Sequence, residues 1–382
     1  MRRAPTAALL ALAACALAGA PADAADAAVP GGRPAADVDR TISDARITES
    51  SGLALSPTRP GVLWTHDDSG NPPLLFALGT SGRVTGTVRI AGVPDVDWEA
   101  MAAFRDAGGR SWLAVADIGD NEARRSSVEV DVVPEPSRAG GVVEEPRLRL
   151  RLRYPGGPRD AETLLVDTAR RRVFVVSKGL LTGTVYAVPA SAWDGRIPAA
   201  PATREATLVP VGTVPLVLVT DGAVAADGTV LLRTYGDLAA FDPFPLDGGT
   251  RLLTPRATAS LPAQQQGEGL ALEPGGRSVL LSSEGSDQPV LRFALPDELR
   301  PGAATASPSA TPSRTRSPSS SARPSSPSPS PAPAGVESDP AFVRTGLLVG
   351  GSVLGGAAVV ALAAALVGRR RGRRNPAAGP GP

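Results

Sequence analysis

The sequence predicts an all-β fold, namely a five-bladed β-propeller closed by an N-terminal strand. Residues 36–300 consist of short β-branched or leucine-rich runs separated by Gly, Pro and Asp, and they show no long helical pattern. The runs repeat in five units, which open near Glu49, Asp97, Asp160, Thr220 and Gly267. Unit spacings of roughly 47–63 residues are typical of propeller blades with loops of variable length.

Four of the units contain four strand-like runs, and the fifth contains three. The second unit, for example, reads DWEAMAAF, SWLAVADIGDN, SSVEVDVVPEP and PRLRLRLRY. The segment ADVDRTISDARI before the first unit has the composition of a strand, and it would fill the missing place and close the ring. A six-bladed ring is the alternative. A β-sandwich would not explain why every unit opens in the same way.

The first 24 residues are predicted to be a secretory signal peptide. Arg2 and Arg3 form a basic start, AALLALAACALAGA an apolar core, and residues 22–24 a small-residue cleavage site. Cleavage there would remove Cys15, the only cysteine, and would leave a mature chain without disulfides or Cys-ligated metals. The alternative is that LAAC at residues 12–15 is a lipobox, in which Cys15 would carry a lipid anchor.

The C-terminal residues predict a stalk and a membrane anchor. Residues 302–340 are rich in Pro and Ser, a composition that forms an extended, disordered stalk. Residues 345–367 form an uncharged apolar run, long enough to cross about 30 Å of bilayer as one helix, with a buried core helix as the alternative. Residues 368–382 carry RRRGRR, which marks the cytoplasmic side. The predicted topology is a single-pass cell-membrane protein with an extracellular N-terminal domain.

The charge distribution argues against nucleic acid as a partner. Residues 34–301 hold 27 of the 39 basic and 34 of the 38 acidic residues, a net charge of −7. Phosphate binding depends on a basic face, which this domain lacks by composition.

One polar residue stands at the start of the first strand in each unit. Each is followed by small or apolar residues, and the first strand of a propeller blade lines the central channel. The sequence therefore predicts a ring of one hydroxyl and four carboxylates around the channel mouth: Ser51, Glu99, Glu162, Asp221 and Glu268.

This ring makes Ca²⁺ the predicted cofactor. Four like charges in a narrow, partly dry channel are costly, so either some carboxyl groups stay protonated or a cation binds. Oxygen donors in this number suit Ca²⁺, which takes about 6–8 oxygen ligands, and do not suit Zn²⁺, which prefers His and Cys. Hydrated acids that merely cap turns are the alternative.

The ends of the second strands are expected to return to the same face as the ring. The ligand-facing residues predicted there are His66, Asp67, Asp68, Asp117, Asp120, Lys178 and Glu284. His66 is the only histidine, but no GxSxG, HExxH or P-loop motif accompanies it, so a structural role is favoured over a Ser-His-Asp hydrolase. Lys178, the only lysine, is interpreted as a partner of the ring, a contact for an anionic ligand, or a residue without a special role.

Three family resemblances follow from these residues. The ring resembles that of the calcium-activated nucleotidases (soluble apyrases), five-bladed propellers in which Ser or Glu from each inner strand holds one axial Ca²⁺. The resemblance implies that role for the five ring residues, with Asp221 standing where a hydroxyl is expected. The EGLAL and LLSSEG runs are similar to phytase-type esterase-like propellers. The combination of DWE, DIGDN, SKG, EGLA, stalk and span is similar to actinobacterial membrane-anchored propeller proteins, which implies no particular activity.

Together these features predict an extracellular ligand-binding or scaffold module, with an envelope component or another extracellular ligand as its partner. The alternative is a Ca²⁺-dependent hydrolase of a phosphorylated or ester substrate. Because propellers serve both as enzymes and as binding platforms, the sequence leaves open whether the chain is an enzyme.

Overall fold

The computed structural model describes residues 33–303, apart from residues 69, 95 and 139. This part of the chain is built from β-strands, with one 3₁₀ turn at Asp297–Leu299. The strands, in chain order, are β1 Asp37–Thr41, β2 Ser50–Leu55, β3 Leu63–Asp67, β4 Leu74–Leu78, β5 Val84–Ile90, β6 Trp98–Arg105, β7 Ser111–Asp117, β8 Val128–Pro134, β9 Gly140–Glu144, β10 Leu148–Arg153, β11 Ala161–Asp167, β12 Arg172–Ser177, β13 Gly183–Ala187, β14 Ala202–Thr207, β15 Val209–Val214, β16 Val219–Val224, β17 Val230–Thr234, β18 Asp237–Phe241, β19 Ala257–Ser260, β20 Gly267–Leu272, β21 Ser278–Ser283 and β22 Pro289–Ala294.

These strands form five sheets, and each sheet is one propeller blade. Blade 1 contains β2–β5, blade 2 β6, β7, β8 and β10, blade 3 β11–β13 and β15, blade 4 β16–β19, and blade 5 β20–β22 with β1. The innermost strands contact one another in the order β2, β6, β11, β16, β20 and back to β2. The prediction of a five-bladed ring is confirmed, and neither the six-bladed ring nor the sandwich is formed.

Five buried apolar clusters hold the blades together, one at each seam between neighbouring blades. At the seam of blades 5 and 1, for example, Leu280 packs in one cluster with Leu53 and Phe76. Each blade is therefore covered on both faces. This explains why runs such as LLFAL and SWLAVA are almost continuously apolar instead of alternating with polar residues.

The N-terminal strand completes blade 5, as the sequence predicts. β1 pairs with β22 in antiparallel fashion, with Asp37 opposite Arg292. The buried Arg40 also ties β1 to blade 1, because its Nη1 donates hydrogen bonds to the backbone carbonyls of Gly61, Leu78 and Gly79 at 2.8, 3.3 and 2.9 Å. Closure of the ring thus depends on a side chain as well as on a strand ladder.

Replacing Arg40 with Met is expected to destabilise the ring closure. The change removes the donors for three largely buried carbonyls and the ion pair with Asp39, so we expect a loss of about 2–4 kcal/mol in the free energy of unfolding, measured by denaturant titration. Arg251→Met is the matched control, because Arg251 is half-exposed and pairs only with the exposed Asp247. If the denaturation midpoint of Arg40→Met equals that of this control, Arg40 does not stabilise the closure of the ring.

Two outer strands cross from one blade to the edge of the blade before it. β9, from the β8–β10 connection of blade 2, pairs in parallel with β5 of blade 1. β14, from the β13–β15 connection of blade 3, pairs in parallel with β10 of blade 2, where Glu205 contacts Arg151 and Arg153. The run REATLVPVG at residues 204–212 has the composition of a single strand, but it is divided between two blades: its REAT part, in β14, extends blade 2, and its VPVG part, in β15, belongs to blade 3.

The predicted signal peptide, most of the stalk, the membrane span and the basic tail lie outside the described residues. Among the residues that are described, no helix combines the length and hydropathy that a membrane crossing needs.

Candidate functional site

A β-bulge interrupts the inner strand of every blade at the same place. In β6, Trp98 pairs with Asp117 and Ala100 with Ala116, so that Glu99 has no partner in the ladder. Such a bulge re-aims one side chain and is common next to functional sites. A register shift occurs at this place in all five inner strands, and it leaves Gly52 and Gly269 unpaired as well in blades 1 and 5. The polar residues without a ladder partner are Ser51, Glu99, Glu162, Thr220 and Glu268.

In blade 4 the ring residue is Thr220, one position before the predicted Asp221. Val219 pairs with Thr234 and Asp221 with Arg233, so Thr220 occupies the bulge. The Thr220 hydroxyl lies 3.4 Å from the backbone carbonyl of Glu268 in the next blade. Ser51 makes the equivalent contact, at 3.2 Å, with the carbonyl of Glu99. The ring therefore has a hydroxyl in blade 4, where the sequence had placed the carboxylate of Asp221.

Asp221 lies instead in the seam between blades 4 and 5. Its carboxylate accepts hydrogen bonds from the backbone N–H groups of Gly222 at 2.7 Å and Leu270 at 2.6 Å. The fully buried Arg233 is its nearby countercharge, and Arg233 itself donates to the carbonyls of Gly269 and Ser282 at 2.5 and 3.0 Å. Asp221 thus joins two blades.

We expect Asp221→Ala to lower stability without changing calcium binding. The substitution leaves two buried N–H groups without their acceptor and the buried Arg233 guanidinium without its nearby countercharge, which costs about 3 kcal/mol of unfolding free energy. Calorimetry on the same variant should give a calcium affinity within about twofold of the unsubstituted protein. Asp297→Ala, at a side chain that is 83% exposed, is the control for stability. A large loss of calcium affinity in Asp221→Ala would show that Asp221 is a calcium ligand of the ring after all.

Ser51 joins the glutamates of two neighbouring blades. Its hydroxyl oxygen lies 3.0 Å from Oε2 of Glu268 and 3.3 Å from Oε2 of Glu99, and all three residues are buried. The ring residues of blades 5, 1 and 2 are therefore joined to one another by hydrogen bonds.

The other side of the ring is occupied by a lysine. The Lys178 ammonium forms an ion pair with Glu162 and donates to the Tyr235 hydroxyl at 3.2 Å. The Tyr235 hydroxyl in turn lies 3.4 Å from Oε1 of Glu268. Of the roles weighed for Lys178, the structure gives it that of a partner of the ring.

Residues that follow the second strands form a layer beside the ring. Lys178 and Tyr235 occupy this position in blades 3 and 4, and Asp68 and Glu284 occupy it in blades 1 and 5. Glu284 hydrogen-bonds with Glu268 and accepts a bond from the Gln266 amide at 2.9 Å.

Three carboxylates from blades 1 and 2 form the group best suited to a metal ion. Asp68, Asp97 and Glu99 each place an oxygen so that the three atoms lie within 4.8 Å of one another. Nearby, Oε2 of Glu162 is buried without a hydrogen-bond partner, and so is Oδ1 of Asp68. Asp97 was not among the predicted ligands, although it opens the DWE motif directly beside Glu99.

Burial and mutual repulsion raise the pKa values of this group. Burial, followed by the charge of Asp97, raises the pKa of Asp68 to about 9. Burial and the charge of Asp160 raise the pKa of Asp97 to about 6. Burial, with the charges of Glu162 and Asp68, holds the pKa of Glu99 well above its usual range. Carboxylates so placed hold either protons or a cation at neutral pH.

The lysine side of the ring is perturbed less. Burial raises the pKa values of Glu162 and Glu268 to about 7, and in both cases the Lys178 ammonium opposes the rise. Burial alone would lower the pKa of Lys178, but the charge of Glu162, with Tyr235, Glu268 and Glu99, outweighs it and raises that pKa. The neighbouring acidic groups therefore favour the charged form of Lys178.

His66 does not face the channel mouth, in contrast to its grouping with the ligand-facing residues. It is fully buried behind Gly52, where an added Cβ would clash with its Nε2, and its ring centroid lies 5.8 Å from that of Trp98. Burial lowers its pKa to about 4, so it is neutral at physiological pH. This favours the structural role for the only histidine.

Asp67 and Asp117 fix the backbone at the start of the inner strands. Oδ1 of Asp67 accepts from the N–H groups of Thr48 and Glu49 at 2.9 and 3.0 Å. Asp117 accepts from the Asp97 N–H at 3.2 Å and forms an ion pair with Arg125 at 2.6 Å.

Asp120 has a similar local role. Its two oxygens accept from the backbone N–H groups of Arg124 and Arg125 at 2.9 and 2.7 Å. These predicted ligand-facing aspartates therefore support the mouth and leave Asp68, Lys178 and Glu284 to contact the ring or the acidic group.

The fold and the site together define a closed five-bladed propeller with an acidic, hydrogen-bonded channel mouth. No family model and no curated protein matches this sequence. Among solved structures, the glutaminyl cyclase of Myxococcus xanthus is 14% identical with a TM-score of 0.39, over 68% of this chain and 95% of that one. The gluconolactonase XC5397 of Xanthomonas campestris is 13% identical with a TM-score of 0.36, over 70% and 99%. Likenesses this distant carry no information about the chemistry of this chain.

Proposed function

We propose that this chain is a cell-surface propeller whose channel mouth binds Ca²⁺ and presents it to an extracellular ligand. The observation that carries the proposal is the convergence of the Asp68, Asp97 and Glu99 oxygens within 4.8 Å in a largely buried site. Bound Ca²⁺ would replace the protons that the raised pKa values otherwise require.

The donor set favours Ca²⁺ over other metals. The group offers carboxylate oxygens, with ring hydroxyls and Glu162 Oε2 close by, and among the described residues neither cysteine nor an exposed histidine accompanies it. Oxygen ligands in irregular geometry suit Ca²⁺, whereas Zn²⁺ favours nitrogen and sulfur.

Exposed apolar side chains on the mouth side support a binding role. Leu180, Leu181 and Val217 are 61%, 80% and 43% exposed in the β12–β13 and β15–β16 loops, which follow Lys178 and precede the blade 4 inner strand. The two loops are joined by a hydrogen bond from the Leu218 N–H to the Gly179 carbonyl at 2.9 Å. Exposed apolar groups beside a charged centre are typical of a recognition surface.

Cell-surface attachment rests on the sequence alone. The signal peptide at residues 1–24 and the span at residues 345–367 would place the propeller outside the membrane, with the Pro/Ser stalk between them. The alternative function, Ca²⁺-dependent hydrolysis of an ester or phosphoester, would have to proceed without His66 as a base, because that side chain is fully buried and a substrate cannot reach it.

Calcium titration of the full-length chain in detergent tests the proposal. Calorimetry is expected to show one Ca²⁺ per chain, and the melting temperature should rise in calcium relative to chelator. Saturation at about 100 times the Kd corresponds to a stabilisation of about 2.7 kcal/mol. An absence of both the heat and the thermal shift would reject the calcium site. Ester or phosphoester turnover that appears only with calcium would favour the hydrolase.

A further inference from the structure

Lys178 is the only lysine in a chain that uses arginine everywhere else. It lies at the end of the second strand of blade 3, with its side chain 16% exposed beside a Glu162 side chain that is 4% exposed. Its ammonium contacts Glu162 and the Tyr235 hydroxyl, and this hydroxyl in turn donates a hydrogen bond to Glu268. A positive charge thus lies within the carboxylate ring.

The acidic residues of the mouth divide into two halves around this charge. On the side of blades 3 to 5, Glu162 and Glu268 lie close to the ammonium, either directly or through Tyr235. On the side of blades 1 and 2, the oxygens of Asp68, Asp97 and Glu99 gather, and the lysine acts on this half only at longer range, through its charge on Glu99. One oxygen of Glu162, Oε2, is nevertheless buried and unpaired, so the lysine half retains a free ligand atom.

The shape of the ammonium explains why lysine is used at this position. It is a compact point charge with three donors, whereas a guanidinium is a planar fork that requires wider spacing between its acceptors. A small cation among carboxylate and phenol oxygens is also the arrangement in which a metal ion would lie.

We propose that the Lys178 ammonium takes the place of a second metal ion, so that the mouth accepts one divalent cation at Asp68, Asp97 and Glu99 and not two. The location of that one ion rests on the proposed function, but the role of the lysine does not. Removing the ammonium leaves Glu162 and Glu268 without their countercharge. Their oxygens, including the unpaired Oε2 of Glu162, would then form a second cation site.

The test compares calcium stoichiometry in the unsubstituted full-length chain, in Lys178→Met and in the double variant Lys178→Met/Glu162→Gln. Calorimetry with Ca²⁺ alone is expected to give one, two and one ions per chain, respectively. If the second ion binds too weakly to be counted, the overall calcium affinity of Lys178→Met should still rise at least tenfold. Arg251→Met, which removes a surface cation, should behave as the unsubstituted chain.

An unchanged stoichiometry and an unchanged affinity in Lys178→Met would overturn the proposal. Folding of Lys178→Met in calcium but not in chelator would support it. If the single variant folds in neither condition, the double variant decides: a folded double variant that binds one ion supports charge neutralisation, and an unfolded one overturns it.

The outcomes also separate this inference from the proposed function. If the unsubstituted chain binds no calcium but Lys178→Met binds one ion, the lysine replaces a metal as proposed, and the proposed calcium function is wrong. If the unsubstituted chain binds one ion and Lys178→Met is indistinguishable from it, the function stands and the role of the lysine is wrong.

Discussion

Glu99→Gln is expected to reduce calcium affinity at least 100-fold and to abolish most of the thermal shift produced by calcium. Glu99 belongs both to the bulge ring and to the Asp68–Asp97 group, and neutralising it removes one of three gathered carboxylates. A 100-fold change corresponds to about 2.7 kcal/mol of binding free energy.

The same substitution should have the opposite effect in chelator. Glu99 is buried and faces the charges of Glu162 and Asp68, so without calcium it must hold a proton, and an amide of the same shape removes the need for that proton. We expect Glu99→Gln to melt at or above the unsubstituted temperature in chelator, and below it in calcium. Glu205→Gln, at a half-exposed glutamate on the outer edge of blade 2, serves as the matched control. Equal destabilisation in both buffers would mean that Glu99 is only a packing residue.

Stability of the metal-free protein should fall by about 2–4 kcal/mol between pH 6.5 and pH 8.5. The folded pKa of Asp68 is about 9 and those of Glu162 and Glu268 are about 7, all above their unfolded values near 4. The native state therefore holds more protons than the unfolded state in this window, and each such proton costs about 1.4 kcal/mol of stability per pH unit.

The only histidine does not contribute to the change in stability between pH 6.5 and pH 8.5. His66 has a pKa of about 4 when folded, lower than its usual value of 6.5, so the unfolded state binds more protons only between about pH 4 and 6.5. In that range His66 makes stability rise with pH, which is the opposite sign. Denaturant titrations at several pH values, with calcium and with chelator, measure the slope. Saturating calcium should flatten it, because a bound cation replaces the protons. A flat profile in chelator would show that the mouth carboxylates are hydrated and unperturbed.

The blade count and the closure were predictable because both follow from hydrophobic patterning. A blade buried on both faces requires nearly continuous apolar runs, and these runs recur five times with one strand short. The ring also followed from phase in four blades. The hydrogen bonds among Ser51, Glu99 and Glu268 are consistent with that phase.

The single shift in blade 4 was not predictable from the pattern. VTDGAV offers two adjacent polar residues, and only the bulge between Val219 and Asp221 decides that Thr220 faces the channel. A bulge depends on pairing with a second strand, which the residues of one strand do not reveal. The burial of His66 was not predictable for the same reason. Asp67 and Asp68 follow it in sequence, but its side chain packs behind Gly52 of the neighbouring strand.

The crossing strands β9 and β14 were missed for another reason. Both are short, and their alternation of exposed and half-buried positions is that of a surface segment. Each is held by a parallel ladder to a different blade, and such a pairing leaves no signal in the strand itself.

The position of β22 has a mechanical consequence if force is applied to the domain through its C-terminal end. The last strand of the propeller, β22, has β21 on one side and β1 on the other, and the residues after it stay packed on the domain through Leu295 and Leu299. A pulling force transmitted along the following residues would therefore load two ladders at once, one of them formed by the N-terminal end of the domain. We expect rupture to require higher force than peeling of an edge strand, and deletion of residues 33–41 to lower that force in single-molecule pulling.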